Sequence, residues 1–119
     1  PWTMIFNAKA SGSKALMALD TACPGGGVAS EEWVSLTGIK TYQKDTLMVL
    51  GDGKSGGLCS KACKVFLTFG GYTSKVESEL IVSSLSPSVD ILVGDAWLKR
   101  NTVQLHYERD MMVIVTESM

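Results

Sequence analysis

The sequence predicts an all-β fold, either a barrel or a sandwich, with one or two short helices. Its apolar and alternating runs are short, and glycine- and serine-rich turn signals separate them at regular intervals. Helical periodicity is almost absent. Strands spaced in this way are typical of barrels and sandwiches. No linker or low-complexity stretch divides the 119 residues, so we expect one domain over 1–119.

Eight runs have the length and composition of strands. In chain order they are Trp2–Ala8, Ala15–Leu19, Thr46–Leu50, Cys63–Phe69, Val76–Val82, Ile91–Val93, Val103–Tyr107 and Met111–Val115. A helix is predicted at Ser30–Val34, where a cap residue precedes two acids. A second is predicted at Asp95–Arg100, which begins with an acid and ends with two bases, as the helix dipole favours.

The composition excludes several function classes. Hydrophobic residues make up 45% and charged residues 19%, and the formal net charge is −1, an ordinary globular balance. No basic patch stands out, so a nucleic-acid partner is not expected. No apolar run approaches the roughly 20 residues of a membrane span, and no signal peptide is visible. We therefore expect neither nucleic acid nor membrane as a partner.

The three cysteines, Cys23, Cys59 and Cys63, are interpreted as free thiols. An odd count disfavours a disulfide framework and favours a reducing compartment. Zinc sites usually need four ligands, and His106 is the only histidine, so no metal or other cofactor is expected. The six methionines are interpreted as core filler.

Asp20 is the acid in the most unusual position. It follows the apolar run Ala15–Leu19, and burial of an unpaired carboxylate is costly. Asp20 is therefore either a structural acid whose charge is satisfied or a working acid. Asp52 and Asp90 are interpreted as turn acids, and Asp95 as a helix N-cap.

Two motifs and a hairpin follow one another in a specific order. The first motif is Leu19-Asp20-Thr21-Ala22-Cys23, and a glycine-rich turn comes after it. A hairpin with a small and polar tip then spans residues 49–58. The second motif, at residues 92–98, is Leu-Val-Gly-Asp-Ala-Trp-Leu.

This order resembles the retropepsins, the aspartic proteases of retroviruses and LTR retrotransposons. The acid motif of that family is Asp-Thr/Ser-Gly-Ala, and the retrotransposon pattern near its C-terminus is Ile-Leu-Gly-x-Asp-Trp-Leu. The glycine, tryptophan and leucine of the second motif are in register here. The resemblance covers Trp2 to Val115 and implies a closed β-barrel of the acid protease fold that forms a homodimer.

The chain departs from the family pattern at three positions. Ala22 replaces the glycine of the acid motif but keeps its backbone N–H. Pro24 removes a backbone donor where the family often has Asp or Thr. Ala96 stands where the second motif has an acid or an amide, and Asp95 lies one place earlier.

The resemblance implies that the catalytic residues are Asp20, Thr21 and Ala22. A chain with one such motif supplies one carboxylate, and the family obtains two by dimerising about a two-fold axis. The two acids share a proton and activate one water molecule. In the family the threonine hydroxyl bonds across the dimer axis.

The hairpin resembles the flap that closes over an extended peptide substrate. The substrate-binding residues implied are Gly51, Asp52, Gly53, Lys54, Ser55, Gly56 and Gly57. Their glycines allow opening, and their amides would bond to a peptide lying as an added strand. The apolar termini, Pro1–Ile5 and Met112–Val115, are expected to pair between subunits.

The function expected is that of an aspartic endopeptidase that processes a retroelement polyprotein, in the cytoplasm or within a virus-like particle. The alternative is a catalytically decayed dimerisation or peptide-binding module, which Ala22, Pro24 and Ala96 favour. A third interpretation, a ubiquitin-pathway retropepsin-like domain of a cellular protein, shares the chemistry of the first.

Overall fold

The computed structural model describes residues 4–20, 23, 25–49, 55–84, 89–106, 109 and 111–115. The elements are β1 (Ile5–Ala10), β2 (Ser13–Leu19), β3 (Gly27–Ser30), α1 (Glu31–Thr37), β4 (Tyr42–Val49), β5 (Ser55–Val65), β6 (Leu67–Phe69), β7 (Tyr72–Thr73), β8 (Ser78–Ser83), β9 (Ile91–Val93), α2 (Asp95–Arg100), β10 (Thr102–His106) and β11 (Met111–Val115). Strands dominate, which confirms the predicted all-β class.

Nine of these strands form one sheet in the order β4-β5-β8-β3-β9-β2-β1-β6-β7. The last two strands, β10 and β11, form a separate antiparallel pair. Among the described strands the first and last members of the large sheet are not paired with each other, so the expected closed barrel is not assigned. The expected homodimer is not tested by a single chain.

The insertion of β9 at the centre of the sheet determines where Asp20 lies. Strand β9 inserts between β2 and β3, parallel to β2 and antiparallel to β3. Its short sequence Ile91–Val93 is buried throughout because it has a strand on either side. The ends of β2 and β9 therefore meet, which brings the two sequence motifs together.

The main hydrophobic core contains buried side chains of these central strands and of both helices. Both tryptophans of the helices are buried in it, Trp33 with 3% of its surface exposed and Trp97 with 1%. Phe69 packs against the Trp97 ring with centroids 5.2 Å apart. A smaller buried cluster, formed by Ala18, Val28, Val89 and Leu92, lies on the other side of the central strands.

Met17 is fully buried, whereas Met111 is 46% exposed, so the methionines are core filler only in part.

Both predicted helices are present, with one correction. The Ser30 hydroxyl accepts a hydrogen bond from the Trp33 amide at 3.0 Å and caps α1 as expected. In α2 the N-cap residue is Gly94, and it makes no side-chain cap bond. Asp95 is instead the first helical residue and pairs with Lys99 at 3.0 Å, so its prediction as the cap was wrong.

The strand predictions were close for β2, β8, β9, β10 and β11 and wrong at other places. The glycine-rich turn predicted after Cys23 contains the start of β3, and the run predicted at Cys63–Phe69 is divided by Phe66 into β5 and β6. The two-residue strand β7 was not predicted. Residues Trp2, Leu50 and Tyr107, at the predicted ends of three runs, lie outside the described residues.

The described residues include neither a membrane-spanning helix nor a cluster of metal ligands. That part of the chain contains no helix long and apolar enough to cross a membrane. Nor does it contain a group of three or more His, Cys, Asp or Glu side chains placed to hold a metal ion.

Candidate active site

Asp20 lies directly after β2, at the point where β2 and β9 end together. Its amide donates to the Val93 carbonyl at 3.0 Å, and its own carbonyl accepts from the Cys23 amide at 3.1 Å. The residue is half-buried. The first bond extends the β2–β9 ladder by one step, and the second closes a turn that reverses the chain toward β3.

Three further backbone bonds tie this turn to the second motif. The Gly94 amide donates to the Gly26 carbonyl at 3.1 Å. At the start of α2, the Asp95 amide donates to the Cys23 carbonyl and the Ala96 amide to the Gly25 carbonyl, each at 2.9 Å. Every helix leaves the N–H groups of its first turn without partners inside the helix. In α2, two of them are satisfied by carbonyls of the loop that carries Asp20, here called the acid loop. The position of Asp20 is therefore fixed by main-chain contacts.

Glycines make this close approach possible. A Cβ placed on Gly94 would lie 2.5 Å from the Gly25 carbonyl oxygen. One placed on Gly27 would lie 2.0 Å from the Leu92 carbonyl oxygen, and the φ of Gly27 is +133°. Neither position accommodates a side chain without moving backbone. Gly94 belongs to the recognised motif, whereas the need for Gly27 is evident only from the structure.

Cys23 is the second side chain of the loop that the structure describes. It is half-buried and packs against the smaller cluster that contains Ala18 and Val28. Burial, reinforced by the negative charge of Asp20, raises the pKa of the Cys23 thiol to about 11. The thiol is therefore uncharged at neutral pH and serves as a small apolar group beside Asp20.

Of the three predicted catalytic residues, the structure describes Asp20 alone. Thr21, Ala22 and Pro24 lie outside the described residues. The structure therefore gives Asp20 a defined backbone position at the meeting point of the two motifs, and the roles of its neighbours stay predictions.

The predicted flap corresponds to the hairpin of β4 and β5. The two strands pair up to Met48 opposite Gly57 and Val49 opposite Ser55, with a register shift between these pairs. Gly57 has a φ of +96°, which only glycine adopts readily. Gly56 continues β5. Gly51, Asp52, Gly53 and Lys54 fall in the gap between the described segments, so their predicted contacts with substrate remain predictions.

The predicted interface strands have partners within the chain on one side. Strand β11 pairs with β10 in a register that places Val103 opposite Ile114. Ile5, at the start of β1, pairs with Ala18. Pairing between subunits is a property of two chains and remains a prediction.

Asp90 occupies a structural position, as its interpretation as a turn acid implied. Its carboxylate oxygen Oδ2 accepts from the Leu16 amide at 2.9 Å, and its own amide donates to the Leu16 carbonyl at 2.8 Å. His106 ends β10 and is half-buried. Neither residue belongs to the loop that carries Asp20.

Comparison with solved structures identifies the fold. The EIAV protease complexed with the inhibitor HBY-793 superposes with a TM-score of 0.61 over 81% of this chain and 85% of that chain, at 14% sequence identity. The retroviral protease-like domain of Ddi1 from Leishmania major gives a TM-score of 0.63 over 96% of this chain and 89% of that chain, at 11% identity. The chain has a retropepsin-like fold. No family model and no curated protein gives a significant sequence match.

The retropepsin-like fold confirms the resemblance inferred from the two motifs. Identities of 11–14% establish architecture and leave the chemistry to be argued from the site. The residue of the site from which the chemistry follows is Asp20, which the two motifs jointly hold at the end of β2.

Proposed function

We propose that the chain is an aspartic endopeptidase that acts as a homodimer, with Asp20 of each subunit at the two-fold axis. The observation that carries the proposal is the position of Asp20. A half-buried acid follows a central strand, and four backbone hydrogen bonds join its loop to β9 and to the Gly94–Ala96 segment of a retropepsin-like fold.

The proposed chemistry uses two Asp20 carboxylates and one water molecule. Like charges at close range cannot both ionise near neutral pH, so the pair holds one proton and titrates jointly. The ionised carboxylate takes a proton from the water while the water oxygen adds to the scissile carbonyl carbon. The protonated carboxyl donates its proton to the carbonyl oxygen, which yields a neutral tetrahedral gem-diol with no covalent acyl-enzyme and leaves one proton on the pair.

The hairpin of β4 and β5 is proposed to cover the substrate. Its predicted tip, Gly51 to Gly57, is proposed to supply backbone amide donors for an extended peptide. Thr21 is proposed to bond across the dimer axis, and the amide of Ala22 to face the carboxylates. Processing of a retroelement polyprotein, in the cytoplasm or in a virus-like particle, is the biological setting that the sequence motifs favour.

The direct test is a peptidase assay of Asp20→Asn at mildly acid pH, where we expect the activity to be highest. The variant is expected to lose activity and to keep its fold, since asparagine preserves the size of the side chain. The matched control is Glu32→Gln, because Glu32 is an exposed acid on α1, outside both the proposed flap and the loop that carries Asp20. Full activity in Asp20→Asn would refute the proposal.

A second candidate is a dimerisation or peptide-binding module whose acid site has decayed. Ala22, Pro24 and Ala96, which replace residues of the family pattern, favour it. Binding of a statine inhibitor distinguishes the two candidates. Saturable binding that Asp20→Asn abolishes supports the enzyme, and absence of binding at every acid pH supports the module.

The same chemistry could serve a domain of a cellular ubiquitin-pathway protein. The fold is also that of a retroviral protease-like domain of a Leishmania major protein, Ddi1, so a cellular parent protein is kept as an alternative to a retroelement. Cleavage of a polyprotein from the same genetic element distinguishes them, because only the retroelement enzyme is expected to process it.

A further inference from the structure

Two lysines face each other on the hairpin of β1 and β2. Lys9 and Lys14 are direct cross-strand partners, and both are exposed. Side chains directly opposite on neighbouring strands have their Cβ atoms roughly 5 Å apart, and like charges in that position destabilise the pair. Neither lysine takes part in the ion pairs found in the described part of the chain, which join Lys44 to Glu79 and Lys99 to Asp95.

The lysine pair continues into a polar row across four strands. Lys9 is also the register partner of Thr68 on β6, and Thr68 is the partner of Thr73 on β7. The two threonine hydroxyls are 3.0 Å apart and hydrogen-bonded. Neighbouring strands lie about 4.8 Å apart, so the row Lys14-Lys9-Thr68-Thr73 spans about 14 Å.

A cleft of about 560 Å³ lies beside the first three residues of this row. Lys9, Lys14 and Thr68 line it, together with Asn7 and the apolar Ala8, Ala15 and Leu16. Asp90 also lines it, but one of its carboxylate oxygens already accepts from the Leu16 amide. The cleft therefore presents two ammonium groups, an amide and a hydroxyl, against one partly engaged carboxylate.

The hairpin that carries the lysines is held firmly. Its tip, Ser11-Gly12, has positive φ at both residues, as a tight two-residue turn requires. The Ser11 amide donates to the Phe66 carbonyl at 2.9 Å, and the Ser11 hydroxyl accepts from the Phe66 amide at 3.1 Å. The lysine backbones are thus positioned in advance, which lowers the entropic cost of binding a counter-charge.

We propose that this cleft, defined as the Lys9–Lys14 cleft, binds an acidic segment of a partner polypeptide. An extended strand rises about 3.3 Å per residue and alternates its side chains, so carboxylates two positions apart lie on one face. Two such carboxylates match two neighbouring ammonium groups, and the row accommodates about four residues. A nucleic acid is disfavoured because the chain as a whole carries a net charge of −1.

The test is an NMR titration of the labelled protein at low salt with the capped peptide Gly-Glu-Gly-Glu-Gly. Saturable shifts are expected at the amides of Lys9, Lys14 and Thr68. The double variant Lys9→Gln/Lys14→Gln is expected to weaken binding about tenfold or more. Its matched control is Lys40→Gln/Lys61→Gln, which removes two exposed lysines elsewhere and should leave binding unchanged.

Several outcomes would overturn the proposal. They are shifts without saturation, equal weakening in the two double variants, and equal binding of the glutamine version of the peptide. Tighter binding of inorganic phosphate or of a short oligonucleotide at the same amides would also overturn it. Thermal unfolding checks the fold, and Lys9→Gln/Lys14→Gln should be at least as stable as the parent because it relieves the like-charge contact.

Discussion

Asp20 and Cys23 are neighbours in one turn, and the negative charge of Asp20 affects the protonation of the Cys23 thiol. Burial and the Asp20 carboxylate raise the pKa of Cys23 to about 11. The apolar run before Asp20 predicted either a structural or a working acid, and the resemblance of the two motifs predicted it as the catalytic one. It did not predict the environment of Cys23, since burial of that thiol arises from contacts across strands.

The first prediction is that the Cys23 thiol reports the charge at position 20. Asp20→Asn removes one of the two causes of the raised pKa, so the alkylation rate of Cys23 by iodoacetamide at pH 8–9 should increase. Cys63 is an internal control, because burial alone raises its pKa to about 11. Mass spectrometry of the two modified sites measures both rates. Equal changes at Cys23 and Cys63 would contradict the proximity of Cys23 to the Asp20 charge.

The second prediction concerns Gly27. Gly27→Ala adds a methyl group 2.0 Å from a backbone carbonyl at a φ of +133°, so we expect a loss of about 3 kcal/mol or more in unfolding free energy. Gly71→Ala is the matched control, since a Cβ there meets nothing within 4 Å and should change stability by less than about 0.5 kcal/mol. Urea denaturation measures both. Similar losses in the two variants would show that the crossing of β3 and β9 is looser than described.

At the scale of elements, the strands that were predicted well are those with apolar residues on both faces or in strict alternation. Strand β9 and the core part of β2 are examples, because burial against two neighbours requires such sequences. Strand β4 was predicted to begin at Thr46 and begins at Tyr42. It lies at the edge of the sheet, where polar residues such as Gln43 and Asp45 face solvent and hide the pattern.

Strand β3 was missed for a different reason. Gly25-Gly26-Gly27 is a turn signal, and only the insertion of β9 beside it makes Gly27 the first residue of a strand. That insertion joins segments more than sixty residues apart in sequence, which local patterns do not encode. The same insertion explains why the loop carrying Asp20 contacts α2.

The third prediction concerns the polar cluster that links β4 to β8. Glu79 accepts hydrogen bonds from the Lys44 ammonium and the Tyr42 hydroxyl. These two bonds hold the pKa of Glu79 below its ordinary value of 4.5, and the bond from Lys44 contributes more than the bond from Tyr42. Partial burial and the same bond raise the pKa of Tyr42 to about 12, so its hydroxyl remains a donor.

Because the pKa of Glu79 is lowered on folding, its stabilisation is present above pH 4.5 and is lost as the pH falls through the folded value. The difference in unfolding free energy between the parent and Glu79→Gln should be at most about 1 kcal/mol near pH 7, as for a partly exposed pair, and smaller near pH 3. Urea denaturation at both pH values measures it. Glu77→Gln, an exposed acid two residues away, is the control. A difference that grows toward low pH would contradict the assignment.

At the scale of the whole molecule, one chain of 119 residues supplies one Asp-Thr-Ala motif in a retropepsin-like fold. The proposed carboxylate pair therefore needs a second copy of this domain. Sedimentation at several concentrations should show a reversible dimer, and raising the concentration should increase the activity per chain. A strict monomer with full activity would contradict the proposed arrangement.

The most direct test of the central claim is a mixing experiment with subunits of the parent and of Asp20→Asn. The two are combined in equal amounts, exchanged by unfolding and refolding together, and assayed for peptidase activity at constant total protein. If both Asp20 side chains serve one site, only parent dimers act, and the activity falls to about one quarter of that of the pure parent. An activity of about one half would show that each subunit acts with its own acid alone, and would contradict the account.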